Sequence, residues 1–264
     1  MNSIVSWNID PNIFQIGFIT IRWYGLLFAS AFIISSIIGN WIFKREDKSI
    51  DQLDSLVLYL ALGTIIGARL GHVLFYDPVF YLSNPLEIFK IWWGGLASHG
   101  AGIGLLVSTW IYSKKTSGMS FFWVFDRATI VIALSGSLIR IGNLFNSEII
   151  GKPTSSNWGV IFNRIDLLPR HPTQLYESLA YFLIFILLLS LYLKTGKKNV
   201  SGLLTGVAFI TGFSARIAIE LFKENQSGFE SGWMLNMGQL LSVPVVLAGL
   251  LILMLSFRRS RYIN

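Results

Sequence analysis

Seven apolar runs of roughly twenty residues each constrain this chain more than any other feature, because that is the length at which an α-helix crosses a bilayer. They cover about 21–43, 53–76, 95–113, 121–145, 173–193, 201–222 and 235–257. Lipid offers no partner to a backbone N–H or C=O, so each run must close its own hydrogen bonds as helix. Composition agrees: the 264 residues are 53% hydrophobic and only 13% charged, against about 25% charged in a soluble domain. The expectation is an all-α polytopic membrane protein, one membrane domain over 1–264, with about seven transmembrane helices. Without cysteine, disulfides, thiolate metal sites and a cysteine nucleophile are excluded. His72, His99 and His171 lack metal-ligand spacing, so no metal site is expected.

The connecting charges predict an orientation. Lys44, Arg45 and Lys48, then Lys114 and Lys115, then Lys194, Lys197 and Lys198, then Arg258, Arg259 and Arg261 follow alternate runs. The positive-inside rule makes that side cytoplasmic, with the amino terminus outside and the carboxy terminus inside. It also accounts for the formal charge of +7 without nucleic acid as a partner. The first apolar block has no basic segment before it and is interrupted by Asp10-Pro11, so it does not read as a cleaved signal peptide. Residues 77–94, with Asp77-Pro78, Asn84-Pro85 and Trp92-Trp93, suit an interfacial arm on the membrane surface. Residues 146–172, broken by Gly151, Pro153, Pro169 and Pro172, cannot be one helix and are expected to form a small extracytoplasmic cap. Trp7, Trp23, Tyr24, Trp92, Trp93, Trp158 and Trp233 fit an aromatic belt at the outer interface.

Within this frame a few polar residues stand out. Arg140 and Arg216 lie inside apolar runs, where a guanidinium costs roughly 3 kcal/mol or more unless it faces a protein interior and a partner. Arg140, Asn143 and Asn146 fall near one helix face, with Glu148 and Gly151 following; Arg216 and Glu220 are four apart and can pair. Arg69 with His72, His99 and Tyr24 sit at the same outward depth in the predicted topology. Two fixed cations at that depth suit a phosphate. The alternatives are structural: an Arg216–Glu220 ion pair, Arg140 snorkelling to the interface, His99 as a satisfied interior histidine, and Arg69 as a brace. Gly63, Gly67, Gly71 and Gly100, Gly102, Gly104 read as residues that let helices approach closely.

The run Arg140-Ile141-Gly142-Asn143-Leu144-Phe145-Asn146-Ser147-Glu148-Ile149-Ile150-Gly151 resembles the signature of the prolipoprotein diacylglyceryl transferase family, departing from it at Leu144, where phenylalanine is usual. Further matches follow in family order: Ile21–Gly25, Gly67–Gly71, Phe125-Asp126-Arg127, Arg170–Glu177, Arg216 with Glu220, and Met237–Ser242. Gly94–Ala101 keeps His99 but has Ala101 where glycine is usual, and Lys223 stands where many members have arginine. The resemblance spans nearly the whole chain. It implies transfer of the diacylglyceryl group of phosphatidylglycerol to the lipobox cysteine of a preprolipoprotein, in the bacterial cytoplasmic (inner) membrane, with glycerol 1-phosphate released and no cofactor.

On that resemblance Arg140 and Arg216 would hold the lipid phosphate, and His99 would either take the thiol proton or position the glycerol while one arginine lowers the thiol pKa. Tyr24, Asn143, Asn146, Glu148, Gly151 and Glu220 would complete the substrate site, with Glu220 fixing Arg216. Phosphatidylglycerol, the signal peptide and membrane lipid are the expected partners. A secondary transporter, with charges near the midplane of repeated halves, a serine hydrolase using Ser98 or Ser135, and a lipid-binding scaffold without catalysis are the competing readings.

Overall fold

A computed structural model describes residues 4–17, 19–91, 94–195, 200–224 and 235–263. In chain order the elements are β1 (Val5–Trp7), β2 (Asn12–Ile16), β3 (Ile19–Arg22), α1 (Trp23–Arg45), α2 (Ile50–Phe75), α3 (Pro78–Ser83), a 3₁₀ turn (Pro85–Phe89), α4 (Ser98–Lys115), α5 (Phe121–Asn146), β4 (Val160–Phe162), β5 (Pro169–Arg170), α6 (Thr173–Thr195), α7 (Leu203–Glu220) and α8 (Met237–Ile263). Six of these, α1, α2, α5, α6, α7 and α8, are long and apolar enough to cross a membrane. The remaining predicted run, 95–113, forms α4, whose Ser98-His99-Gly100 start and Lys114-Lys115 end dilute its hydropathy. Their apolar side chains point outward: Phe28, Phe32, Ile33 and Ile37 on α1, Leu62, Ile66 and Leu74 on α2, and Leu247, Leu251 and Met254 on α8 are all exposed, while Thr109, Asp126, Thr173, Gln174, Glu177 and Thr205 are buried. That inversion is how a chain solvated by lipid arranges itself, and the protein is a multi-pass membrane protein.

The residues divide into two compact units, 39–125 and a second formed by 1–38 with 126–264. In the first, α2 begins at a reciprocal cap in which Ser49 Oγ accepts from Gln52 N and Gln52 Oε1 accepts from Ser49 N, each at 3.2 Å. Glycines seat α2 on α4. A Cβ on Gly67 would stand 2.7 Å from Cα of Gly104, and one on Gly71 2.7 Å from Cα of Gly100, so the two backbones touch as the small-residue pattern predicts. Gly102 has nothing near its Cβ position and lies off this seam. After α2 the chain runs through α3 and the 3₁₀ turn, exposing Val79, Leu82, Leu86 and Phe89, an apolar surface suited to the interface. Trp92 and Trp93 of the arm lie outside the described residues.

In the second unit, Asp126 supplies the cap that Gly202 cannot. Gly202 precedes α7 at φ 90° with no side chain to donate to, and the buried Asp126 carboxylate of α5 accepts from Gly202 N, Thr205 N and Thr205 Oγ1 at 2.8, 2.8 and 2.6 Å. Asn236 and Gln239 exchange two such bonds at the start of α8, and Gly206 and Gly249 pack α7 on α8. The amino-terminal strands and the 146–172 segment are not helical. β1 pairs parallel with β4 and β4 antiparallel with β5, and β2–β3 forms a hairpin leading into α1. These strands, two to five residues long, were not visible as apolar alternation. Trp7 and Trp23 both pack on Phe145, and Trp158 donates to the Tyr176 hydroxyl; Trp233 lies outside the described residues.

Candidate functional site

The polar residues at the end of α5 are held by a helix stop that a glycine would normally make. Ser147 takes φ 53° and Ile149 φ 57°, unusual for non-glycine residues and, for a β-branched one, strained by on the order of 1–3 kcal/mol. Glu148 N donates to Asn143 O at 3.1 Å, closing the helix end in the Schellman manner. Arg164 covers the same end, donating to Phe145 O and Ser147 Oγ at 2.5 and 2.8 Å, with its charge beside the negative end of the helix dipole. The first turn of α6 holds the other side: Thr173 Oγ1 donates to Ile149 O at 2.9 Å and Gln174 Nε2 to Glu148 O at 2.7 Å.

A polar chain runs from this stop into the helices. Asn146 Nδ2 and Asn143 Nδ2 both donate to Glu148 Oε1, at 3.2 and 2.7 Å. Asn143 Oδ1 accepts from Arg140 Nη1 at 3.1 Å. Arg140 Nε lies 2.9 Å from Glu177 Oε2; this is a close charge contact without hydrogen-bond alignment, since that oxygen has no aligned donor among the described residues. Glu177 is fully buried. Its other oxygen accepts from Lys223 Nζ at 3.1 Å, and Lys223 also lies 3.4 Å from Glu220 Oε2. The expected Arg216–Glu220 pair is therefore replaced: three residues along the chain as α7 ends, Lys223 reaches Glu220 and takes its charge. Gly238 allows this, since a Cβ there would stand 2.6 Å from the Glu220 carboxyl carbon.

Arg216 itself, half-buried, forms no hydrogen bond or ion pair among the described residues. Tyr181 of α6 lies within electrostatic reach of Glu177, Arg140 and Arg216. Tyr24 packs on α5 where Gly142 leaves room, a Cβ there being 2.8 Å from Tyr24 Cδ2, and lies within electrostatic reach of Arg140 and Glu148. Gly151 pairs its backbone with Lys223, and a Cβ would stand 2.8 Å from Phe222 O, so this position serves a close backbone approach. Outside the spans, Asp166 lies beside Arg170 at 2.6 Å; the hydrogen bonds from that guanidinium hold its carboxyl below the usual range. Arg170 also reaches Glu224 and Gly151 O.

Tyr24, Arg140, Asn143, Asn146, Glu148, Gly151, Arg216 and Glu220 thus belong to one neighbourhood of the second unit. His99 belongs to the other, at the head of α4, where its ring stacks on Tyr76 at 5.8 Å and meets Phe75 edge-on at 5.4 Å. Sequence reasoning gave no role to Glu177, Tyr181, Gln174 or Arg164. The signal for Glu177 was present, because it is the lone carboxylate of an apolar run and an intramembrane ionisable residue is a site candidate by default. Tyr181, four residues on, shares its face.

The sequence model of the prolipoprotein diacylglyceryl transferase family matches residues 11–255. Proteins named phosphatidylglycerol–prolipoprotein diacylglyceryl transferase are similar over nearly their full length. That of Tolumonas auensis is 48% identical, covering 96% of this chain and 98% of its own. That of Chloroherpeton thalassium is 46% identical over 98% and 97%, and that of Porphyromonas gingivalis 45% over 94% and 93%.

Proposed function

This chain belongs to the prolipoprotein diacylglyceryl transferase family, and from that premise we propose how its residues divide the work of moving the diacylglyceryl group of phosphatidylglycerol to a prolipoprotein thiol. The relatives' names give both substrates. The sulfur forms a bond to the glycerol carbon as that carbon's bond to the phosphate oxygen breaks. The thiol proton leaves through a base, and glycerol 1-phosphate departs with the bonding pair. Charge grows on the phosphate as it leaves, so the useful groups are fixed cations aimed at its oxygens.

The observation that carries the division is that Arg140 and Arg216 both lie within electrostatic reach of Tyr181, while Arg140 has a carboxylate partner in Glu177 and Arg216 has none among the described residues. Glu177 and Asn143 hold Arg140 by its Nε and Nη1, which fixes the guanidinium in place for an anion to meet. Arg216 brings an uncommitted charge. Lys223 satisfies both Glu177 and Glu220, so those carboxylates do not claim Arg216. Tyr24, Asn143, Asn146 and Glu148 order the mouth of the site, and Gly151 and Glu220 keep the backbone and Lys223 in place. His99 is assigned the thiol proton on its chemistry, imidazole being the side chain that exchanges protons near neutral pH. The chain crosses the membrane seven times, α4 included. The amino terminus is outside, the carboxy terminus is in the cytoplasm, and residues 146–172 form an outer cap.

The test mixes purified protein with phosphatidylglycerol and a lipobox peptide. It should yield peptide heavier by one diacylglyceryl group on its cysteine and an equal amount of glycerol phosphate. Arg216→Gln should abolish product while the folded protein persists. Unmodified peptide with the unaltered protein would refute the activity, and full activity of Arg216→Gln the assignment.

A further inference from the structure

Arg69 is buried at 6% exposure, carries a charge inside α2, and has no carboxylate partner among the described residues. Every nitrogen of its guanidinium instead meets a backbone carbonyl from the chain that follows the helix. Nε donates to Ile88 O at 2.8 Å, Nη1 to Gly94 O at 2.8 Å and Gly95 O at 3.1 Å, and Nη2 to Glu87 O at 2.5 Å. The ring of Tyr81, from α3, covers the guanidinium at 4.9 Å. Glu87 itself is occupied by Lys90. Four oxygens on a planar fork fix position and orientation together, which a flexible ammonium cannot do.

The fold is shaped to this latch. Gly95 has φ +69°, and a Cβ there would stand 2.6 Å from Arg69 Nη1, so the chain turns over the guanidinium only because the position is glycine. One residue earlier, Ala68 O accepts from Ala97 N at 2.9 Å, and Ala97 is the N-cap residue of α4. Two adjacent residues of α2 therefore hold the arm, the turn and the N-cap residue of α4. His99 is two residues further on, its ring between Phe75 and Tyr76 at the end of the same α2.

We infer that Arg69 is a positioning residue for the transfer reaction: by fastening Glu87, Ile88, Gly94 and Gly95 to α2 it sets the first turn of α4 and so the place of the His99 imidazole. The inference rests on the reading of His99 as the acceptor of the thiol proton. Arg69 does not touch substrate. Its removal should lower turnover and leave binding of phosphatidylglycerol nearly unchanged, because the arm's slack misplaces the base and not the cations.

The chain has no cysteine, so Leu82→Cys, 81% exposed on α3, carries a single nitroxide label without other change. In the otherwise unaltered protein the label should report an immobilised arm, and a freely tumbling label there overturns the latch without any further variant. In Arg69→Lys the arm should loosen, with kcat down about tenfold or more and KM for phosphatidylglycerol within about twofold. Arg69→Ala should regain turnover when guanidinium is added at tens of millimolar and not when ammonium is. An immobile arm with unaltered kcat in Arg69→Lys, a loosened arm with unaltered kcat, or an absence of guanidinium rescue each overturn the inference. His99→Gln is read alone: full activity there removes the assignment of the base, while the label still reports on the latch.

Discussion

Glu177→Gln isolates the charge that organises the site. The native carboxylate is fully buried, 3.1 Å from Lys223 Nζ and 2.9 Å from Arg140 Nε, and the Lys223 side chain is only 3% exposed. Removing one partner from a buried ion pair costs about 3–5 kcal/mol, because a charge is left in low dielectric without compensation. Here the lower end applies, since Lys223 keeps Glu220 at 3.4 Å and Arg140 keeps Asn143 at 3.1 Å. The expected loss is about 3 kcal/mol, a fall of roughly 6–12 °C in Tm for a chain of this size. Thermal unfolding of the detergent-purified protein measures it. Adding Lys223→Met removes the stranded cation, so the double variant should be more stable than the sum of the single penalties predicts. A Tm within a degree or two of the parent for Glu177→Gln, or penalties that add, would show that the buried charges do not depend on one another and refute the reasoning.

Further outcomes follow from the same structure. Gly67→Val places a branched side chain against the Gly104 backbone and should destabilise by about 3 kcal/mol, the top of the usual overpacking range, whereas Gly102→Ala, with open space around it, should be neutral or slightly stabilising; melting curves of the two compared side by side decide it. Asp126→Ala strips three hydrogen bonds from the start of α7 and should cost about 2 kcal/mol, with faster amide exchange at residues 202–205. Asp166 has its carboxyl pKa lowered by Arg170, so its contribution to stability is present above the unfolded value near 3.9 and fades as pH falls through the lower folded value. Asp166→Asn should therefore melt below the parent at pH 7, and the gap should close in acid below about pH 4.

The helices were legible because lipid leaves a chain little choice: an apolar run of about twenty residues must close its own hydrogen bonds. Glycine spacing on two runs was also legible as contact, since Gly63, Gly67 and Gly71 recur every fourth residue and meet Gly100 and Gly104. The site was legible in part. Arg140, Asn143 and Asn146 fall on one helix face by spacing, and Glu148 follows within nine residues of Arg140, brought back to the asparagines by the helix stop. Spacing failed where partners came from distant segments. Arg216 and Glu220 share a face four residues apart, yet Lys223 takes the carboxylate because the chain turns back after α7 to pair with Ile150–Lys152. The β1–β4 pairing joins three-residue strands far apart in sequence, too short for alternation to show. Arg69 pairs with backbone carbonyls, which carry no mark in the side-chain sequence.

The central claim is that Arg140 and Arg216 hold the same phosphate, and a double-mutant cycle on phosphatidylglycerol turnover tests it most directly. Arg140→Gln, Arg216→Gln and the pair are assayed for kcat/KM with a lipobox peptide, using Arg→Lys variants where glutamine abolishes the signal. Cations on one anion lose their contributions together, so the pair should be far less impaired than the product of the single losses predicts. Independent, multiplying losses would place the two arginines on different groups and contradict the account.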